Sequence, residues 1–181
     1  LPETPRWVPA ECDVPIRRGH WFWHPNSEDR LLSLEELKDI YYRSVGHGTN
    51  LLLNVAPDDR GLIPEADAKR VIEFGDWIRN TFSNPIKEIS GEGDQLEVTL
   101  DSPQRVDHVI LMEDIAHGER VRDYVLEIKK DGQWIEIVHG SAIGHKKIDR
   151  IQPIVTDQIR LRVLEAAAKP LIRKFALIGS K

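Results

Sequence analysis

The residues best equipped for chemistry crowd one stretch near the start of the chain, WVPAECDVPIRRGHWFWH, residues 7–24. It holds three Trp, a Phe, two Arg, two carboxylates, two His and the chain's one Cys. Aromatic faces stack on the apolar faces of sugar rings. Arg and His donate hydrogen bonds to hydroxyls, and a carboxyl group with a raised pKa can protonate a leaving oxygen. Glu11, Arg17, Trp21, Trp23 and His24 would make a carbohydrate site of that type. The plainer alternative is that Trp7, Trp21 and Phe22 are core, and that Arg17 and Arg18 pair with Asp13 and Glu11. The cluster as a whole favours a site, because loops carry sites while cores are built from Leu, Ile and Val.

Other chemistries fit less well. Cys12 lacks the neighbouring Asn and His of a thiol protease and reads as a free, buried Cys. His20 and His24 are four apart, but Gly19 and Pro25 argue against the helix that would turn this spacing into a metal site. No metal and no cofactor is expected. His47, His108, His117, His139 and His145 are scattered and read as surface residues, and SVGHGTN lacks the Lys-Ser/Thr of a phosphate loop. A net charge of -5 argues against a nucleic-acid partner. No apolar run approaches the roughly 20 residues of a membrane span, and a single Cys rules out an internal disulfide.

Two textures share the chain. SLEELKDIYYRSVG opens with Ser33 and Glu36 in capping-box spacing, with Leu34, Leu37, Ile40, Tyr41 and Val45 at helical spacing and Gly46 as a stop. NLLLNV is a short continuous apolar run that suits a strand buried on both faces of a parallel sheet. PEADAKRVIEFGDWIRNTF is a second helix, with Pro64 at its start and acids in its first turn. Helix, strand and helix in that order predict α/β structure. From Ile86 onward period-2 segments dominate: QLEVTLD, RVDHVILMED, DYVLEIKKDGQWIEIVHG, QIRLRVLEA and IRKFALIG, with Asp131-Gly132 as a hairpin turn. They predict an antiparallel sandwich or barrel of normal single-domain size. The boundary is expected near residue 85, giving 1–84 as α/β and 85–181 as all-β. One strand and two helices cannot cover a parallel strand on both faces, so NLLLNV demands neighbours that residues 1–84 do not supply. LPETPRW has no initiator Met, so the chain is expected to be a piece of a longer protein.

The residues WVPAECDVPIRRGHWFWH, followed by SLEELKDIYYRSVGHGTNLLLNVAPDDRGLIPEAD, resemble the end of the catalytic barrel of glycoside hydrolase family 29, the α-L-fucosidases. The similarity spans about residues 7–80 and is greatest to the branch that prefers α-1,3/1,4-linked fucose. The later segment DSPQRVDHVILMEDIAHGERVRDYVLEIKKDGQWIEI is similar to the discoidin-like sandwich that often follows this barrel. The resemblance implies a (β/α)₈-like barrel with its site at the C-terminal ends of the strands. It places LLLNV as a late strand with Asn54 near its catalytic end. It implies a retaining enzyme that removes terminal α-L-fucose from oligosaccharides or glycoconjugates without a cofactor. There an Asp is the nucleophile and a second carboxyl is acid, then base. Nothing in this chain matches the nucleophile, so the chain alone should be inactive and its partner is the upstream barrel of the same protein. Glu11 is nominated as the acid/base, with an upstream residue as its rival. Trp21 matches the aromatic that meets the fucose methyl face, Trp23 and His24 line the same wall, and Arg17 braces Glu11 or meets a hydroxyl. Three departures stand out: Pro15 where the family has Ser, the extra His20, and GHGTN in place of Gly-Arg-Asn-Gly-Asn. A periplasmic or secreted bacterial protein is expected.

The sandwich could bind sugar through EDIAHGERV and GSAIGHKKID, using Glu113, Asp114, His117, Arg120, His145 and Lys146. These segments offer no aromatic platform, so a structural role is favoured there. A non-catalytic carbohydrate-binding or structural accessory module is thus the alternative to an enzyme.

Overall fold

The computed structural model describes residues 10–179. Trp7 lies outside them. The chain divides into two compact units, one running up to Val45 and resuming over Thr49–Phe74, the other comprising Gly46–Gly48 and everything from Gly75 onward.

The first unit is built from β1 (Glu11–Pro15), α1 (Leu34–Arg43), β2 (Asn50–Asn54) and most of α2 (Glu65–Phe82). β1 and β2 pair in parallel, with Glu11 opposite Asn50 and Pro15 opposite Asn54. The pairing is extended at both ends by Asn50 N–H to Ala10 O and Ile16 N–H to Asn54 O, both 2.9 Å. ECDVP carries no strand pattern by itself. It is a strand because β2 offers it a partner. β2 is not buried on both faces as expected: Leu52 is 51% exposed, since among the described residues β1 is its only strand neighbour. α1 begins where the capping box predicts. Ser33 Oγ accepts from Glu36 N–H, and Glu36 Oε2 accepts from Ser33 N–H at 2.9 Å. Its buried side is Leu37 and Tyr41, and Tyr41 meets Phe74 of α2 edge-on at 6.0 Å between ring centres.

The second unit holds β3 (Lys87–Glu92), β4 (Gln95–Glu113), β5 (Val121–Lys130), β6 (Gln133–Gly140), β7 (Lys147–Ala166) and β8 (Leu171–Ile178). They form one antiparallel sheet in the order β3-β8-β4-β7-β5-β6. The separate segments QLEVTLD and RVDHVILMED are one strand, β4, and QIRLRVLEA is only the second half of β7. Both long strands bend. Register shifts fall between Thr99 and Gln104 and between Val106 and His108, and the skipped stretches contain Pro103 on β4 and Pro153 on β7. Proline has no N–H to give a ladder, so it is tolerated at such irregularities and ends regular pairing there. Of β4 only the second half pairs with β8, and of β7 only the second half pairs with β5. Both halves send alternate residues into one apolar cluster: Val98, Val109, Leu126, Leu161 and Phe175 among them. A sheet whose two halves share one core is folded on itself into two layers, as in a β-sandwich.

The β5–β6 turn is as predicted, with Asp131 at φ 51° and Gly132 at φ 78° and Lys130 opposite Gln133. Two consecutive positive φ values are what a tight primed turn requires. Tyr124 on β5 is fully buried, and its hydroxyl donates to Asp149 Oδ2 on the other half of the sheet at 2.6 Å. Burial pushes the Asp149 carboxyl up and, with the negative charge of Asp149, raises the Tyr124 hydroxyl as well. Ring and glycine are matched here: Tyr124 lies opposite Gly140, and a Cβ on Gly140 would collide with the ring. His108, expected at the surface, is largely buried, with Nδ1 2.6 Å from Asp107 Oδ1 and the ring edge-on to Phe82. Among the described residues no helix is long and apolar enough to cross a membrane.

Gly140→Ala is expected to lower the stability of this unit by about 1–3 kcal/mol, because the methyl group must displace a buried ring. Urea unfolding followed by circular dichroism measures it, and an unchanged midpoint would show that Tyr124 can step aside.

Candidate functional site

The aromatic segment leaves the C-terminal end of β1 at Ile16 and returns through a 3₁₀ turn at Glu28–Arg30 to Leu32, whose N–H bonds Ile16 O at 2.9 Å. Between these points the chain is a loop closed by His20 N–H to Arg17 O at 3.0 Å and Arg18 N–H to Arg30 O at 2.9 Å. Trp21 is 50% and Phe22 79% exposed, so neither is core. Trp23 is half-buried and His24 exposed.

Arg17 is 3% exposed and Asp67, in the first turn of α2, 1%. The guanidinium forks onto the carboxylate: Nε donates to both oxygens at 3.2 and 3.0 Å, and Nη2 to Oδ1 at 2.8 Å. Nη1 donates to Ser27 Oγ at 2.8 Å and lies 3.5 Å from Glu28. The hydrogen bonds to Asp67 hold the Arg17 pKa above its ordinary value despite burial. Arg18 pairs with Glu36 of the capping box. The expected pairing of these two arginines with Asp13 and Glu11 is therefore not what forms. Their partners lie 50 and 18 residues further on, and Arg17 braces Asp67 rather than Glu11.

Ile16, Arg17, His20, Phe22, Trp23, Asn54, Ala56 and Asp67 line one narrow cleft whose residual space is on the order of a single water. Asn54 Nδ2 donates to the Trp21 carbonyl at 2.7 Å. The His20 and His24 rings stand 4.4 Å apart, tilted by 56°. Nδ1 of His20 is buried with no hydrogen-bond partner. Burial first, and then His24, lower the His20 pKa. Among the described residues no group of three or more His, Cys, Asp or Glu could hold a metal. Cys12 is free and half-buried.

Arg17, Trp21, Trp23, His24 and Asn54 thus gather at one end of the parallel pair. Glu11 does not join them. It starts β1, is exposed, and its nearest partner is Asn50 Nδ2 at 3.5 Å. Four residues at about 3.3 Å each separate it from the end that bears the loop, on the order of 13 Å. Ser27 and Asp67 belong to the arrangement although nothing in the sequence singles them out. The only signal for Asp67 is an acid in a helix's first turn, which usually faces solvent. In the second unit Glu113, considered as a sugar contact, is 1% exposed. Its carboxylate accepts from Arg120 N–H at 2.7 Å, Val121 N–H at 3.0 Å and Gly144 N–H at 2.8 Å. It ties two loops together.

The chain thus joins a parallel pair ending in an exposed aromatic loop to an antiparallel sandwich further along, and known proteins resemble it over nearly all of this length. The sequence model of the α-L-fucosidase family matches residues 2–81. α-L-Fucosidase 1 of Arabidopsis thaliana is 34% identical over 97% of this chain and 41% of its own length. A candidate α-L-fucosidase solved from Bacteroides thetaiotaomicron superposes with a TM-score of 0.93 at 41% identity, over 97% of this chain and 42% of that one. A Ruminococcus gnavus family 29 fucosidase solved in complex with fucose gives 0.86 at 25% identity, over 99% of this chain and 43% of that one. Over residues 2–81 the chain matches the α-L-fucosidase family, and over nearly its whole length it is similar to fucosidases of glycoside hydrolase family 29. It spans about two fifths of the length of the curated relatives it matches.

Arg18 first, then Ser33, hold the Glu36 carboxyl at about 2, below its ordinary 4.5. A depressed carboxyl stabilises the fold above its unfolded value and loses that contribution as pH falls through its folded value. The stability gap between wild type and Glu36→Gln should therefore shrink as pH drops from about 4.5 to about 2. A gap that does not change across that window, in urea titrations at stepped pH, would contradict the pairing.

Proposed function

We propose that the whole protein is a retaining α-L-fucosidase that removes terminal α-L-fucose, with preference for α-1,3/1,4 linkages, from oligosaccharides or glycoconjugates. The observation that carries the reading is the family match over residues 2–81, which contains the aromatic loop. Residues 1–84 contribute late strands of a (β/α)₈-like barrel, in which loops at the C-terminal ends of strands form the site. The exposed Leu52 edge of β2 is consistent with further strands beside it. Trp21, Phe22 and Trp23 supply apolar faces for the sugar ring, and His24 a polar group at their rim. No residue here matches the nucleophile, so it is assigned to the upstream barrel; Glu11 starts β1 and does not lie with the aromatic loop, which favours an upstream residue over Glu11 as the acid/base. Residues 1–181 alone are therefore inactive. Residues 85–181 form a discoidin-like accessory domain with a structural role, a reading supported by the way Glu113 is used up in bracing its loops.

The test is hydrolysis of an aryl α-L-fucoside by the whole protein, with product stereochemistry read by NMR. The α-anomer of fucose should appear first. Trp21→Ala should raise KM about tenfold, as expected for one lost aromatic contact. Glu11→Gln should leave kcat within about threefold. A rate loss in that variant concentrated on poor leaving groups would make Glu11 the acid after all, and a folded whole protein without activity would end the reading.

A further inference from the structure

We propose that Ser27 and Asn54 are positioning residues, which pin the carbonyls of His24 and Trp21 and so set the posture in which the aromatic loop meets its sugar. The inference rests on the carbohydrate reading above and goes on to say what holds the loop.

Little regular structure holds Trp21–Asn26. Among the described residues the backbone–backbone hydrogen bonds outside helices and strands stop at His20 on one side and resume at Ser27 on the other, with one turn at Pro25–Asn26 between them. Packing holds only part of it, since Trp21 and Phe22 are exposed and Trp23 is half-buried. Two side chains take over. Asn54, the last residue of β2, donates from Nδ2 to Trp21 O at 2.7 Å. Ser27 Oγ donates to His24 O at 2.7 Å.

The direction of the second bond is forced. A hydroxyl has one proton. Ser27 Oγ already accepts from Arg17 Nη1 at 2.8 Å, and a guanidinium can only donate. The hydroxyl proton must therefore point to His24 O. Arg17 is in turn oriented by its fork onto Asp67. The result is a directed chain from Asp67 through Arg17 and Ser27 to the His24 backbone, with its first three members buried. It also explains why Arg17 and Asn54 lie at the candidate site yet have their donors committed. They act through the loop.

The experiment compares wild type with Ser27→Ala and with Asn54→Asp, a near-isosteric change that removes the amide donor. Backbone ¹⁵N order parameters of residues 20–26 are read by NMR in this chain, with α1 as internal control. KM and kcat on an aryl α-L-fucoside are read in the whole protein. Each variant should lower the order parameters in 20–26 from the rigid range of about 0.85 toward about 0.6 or below, and leave α1 unchanged. KM should rise about fivefold or more, the effect of one lost hydrogen bond, with kcat within about twofold, a split that general loss of folded protein would not produce. Unchanged order parameters in both variants would overturn the proposal, as would a loosened loop with unaltered KM. Order parameters are read without substrate, so a whole protein that failed to cleave fucosides would sink the fucosidase reading while they still told whether Ser27 and Asn54 hold the loop.

Discussion

The ion pair between Arg17 and Asp67 is the constraint on which the first unit depends. Both side chains are almost fully buried, and each would be costly to leave alone: removing one partner of such a pair destabilises by about 3–5 kcal/mol, because the other charge stays desolvated. The pair is satisfied only when the segment leaving β1 and the first turn of α2 are at the right separation and angle. It joins elements 50 residues apart in sequence. With Arg17 fixed, Ser27 is oriented, and with Ser27 fixed, the far end of the aromatic loop is placed. The parallel pairing of β1 and β2 fixes the near end, since it brings Asn54 beside the chain that emerges from Pro15. A loop that holds Trp21 and Phe22 out in solvent would otherwise have little reason to keep one conformation.

The second unit follows the same logic with different chemistry. Two long strands, each interrupted by a proline, fold one sheet into two layers around an apolar cluster. Three of the buried polar groups in this unit have clear partners. Tyr124 and Asp149 satisfy each other across it, and Glu113 collects three backbone N–H groups where two loops meet its edge. On the outer face Glu127 accepts from Arg160 and Arg162, and the Arg160 guanidinium lies 4.2 Å from the centre of the Trp134 ring. These groups are occupied with one another.

Much of this is readable from local sequence, and the limits have a physical pattern. α1, α2 and the Asp131-Gly132 hairpin are legible because capping, helical periodicity and turn chemistry act within a few residues. β1 is not, because a five-residue strand in a parallel pair is defined by a partner about 40 positions away. The breaks expected within β4 and β7 are bends rather than ends: proline marks the places correctly but not whether the chain continues. The aromatic stretch stands out by its composition, and Trp21 and Phe22 are exposed rather than core. Which of its charges act cannot be read the same way. Glu11 looks close to Trp21 because ten residues separate them, yet those ten include the length of a strand. Arg17 looks available because its partner, Asp67, lies on a helix whose first-turn acids normally face water.

The most direct test of the account is a double-mutant cycle on Arg17 and Asp67, with Arg17→Met, Asp67→Leu and the pair together, read by urea unfolding of this chain. A buried pair that organises its unit predicts strong coupling: each single change should cost about 3–5 kcal/mol, while the double change, which leaves no unpaired charge, should cost clearly less than their sum. Single effects that are small, or that simply add, would contradict it and would mean that the loop takes its posture from something other than this pair.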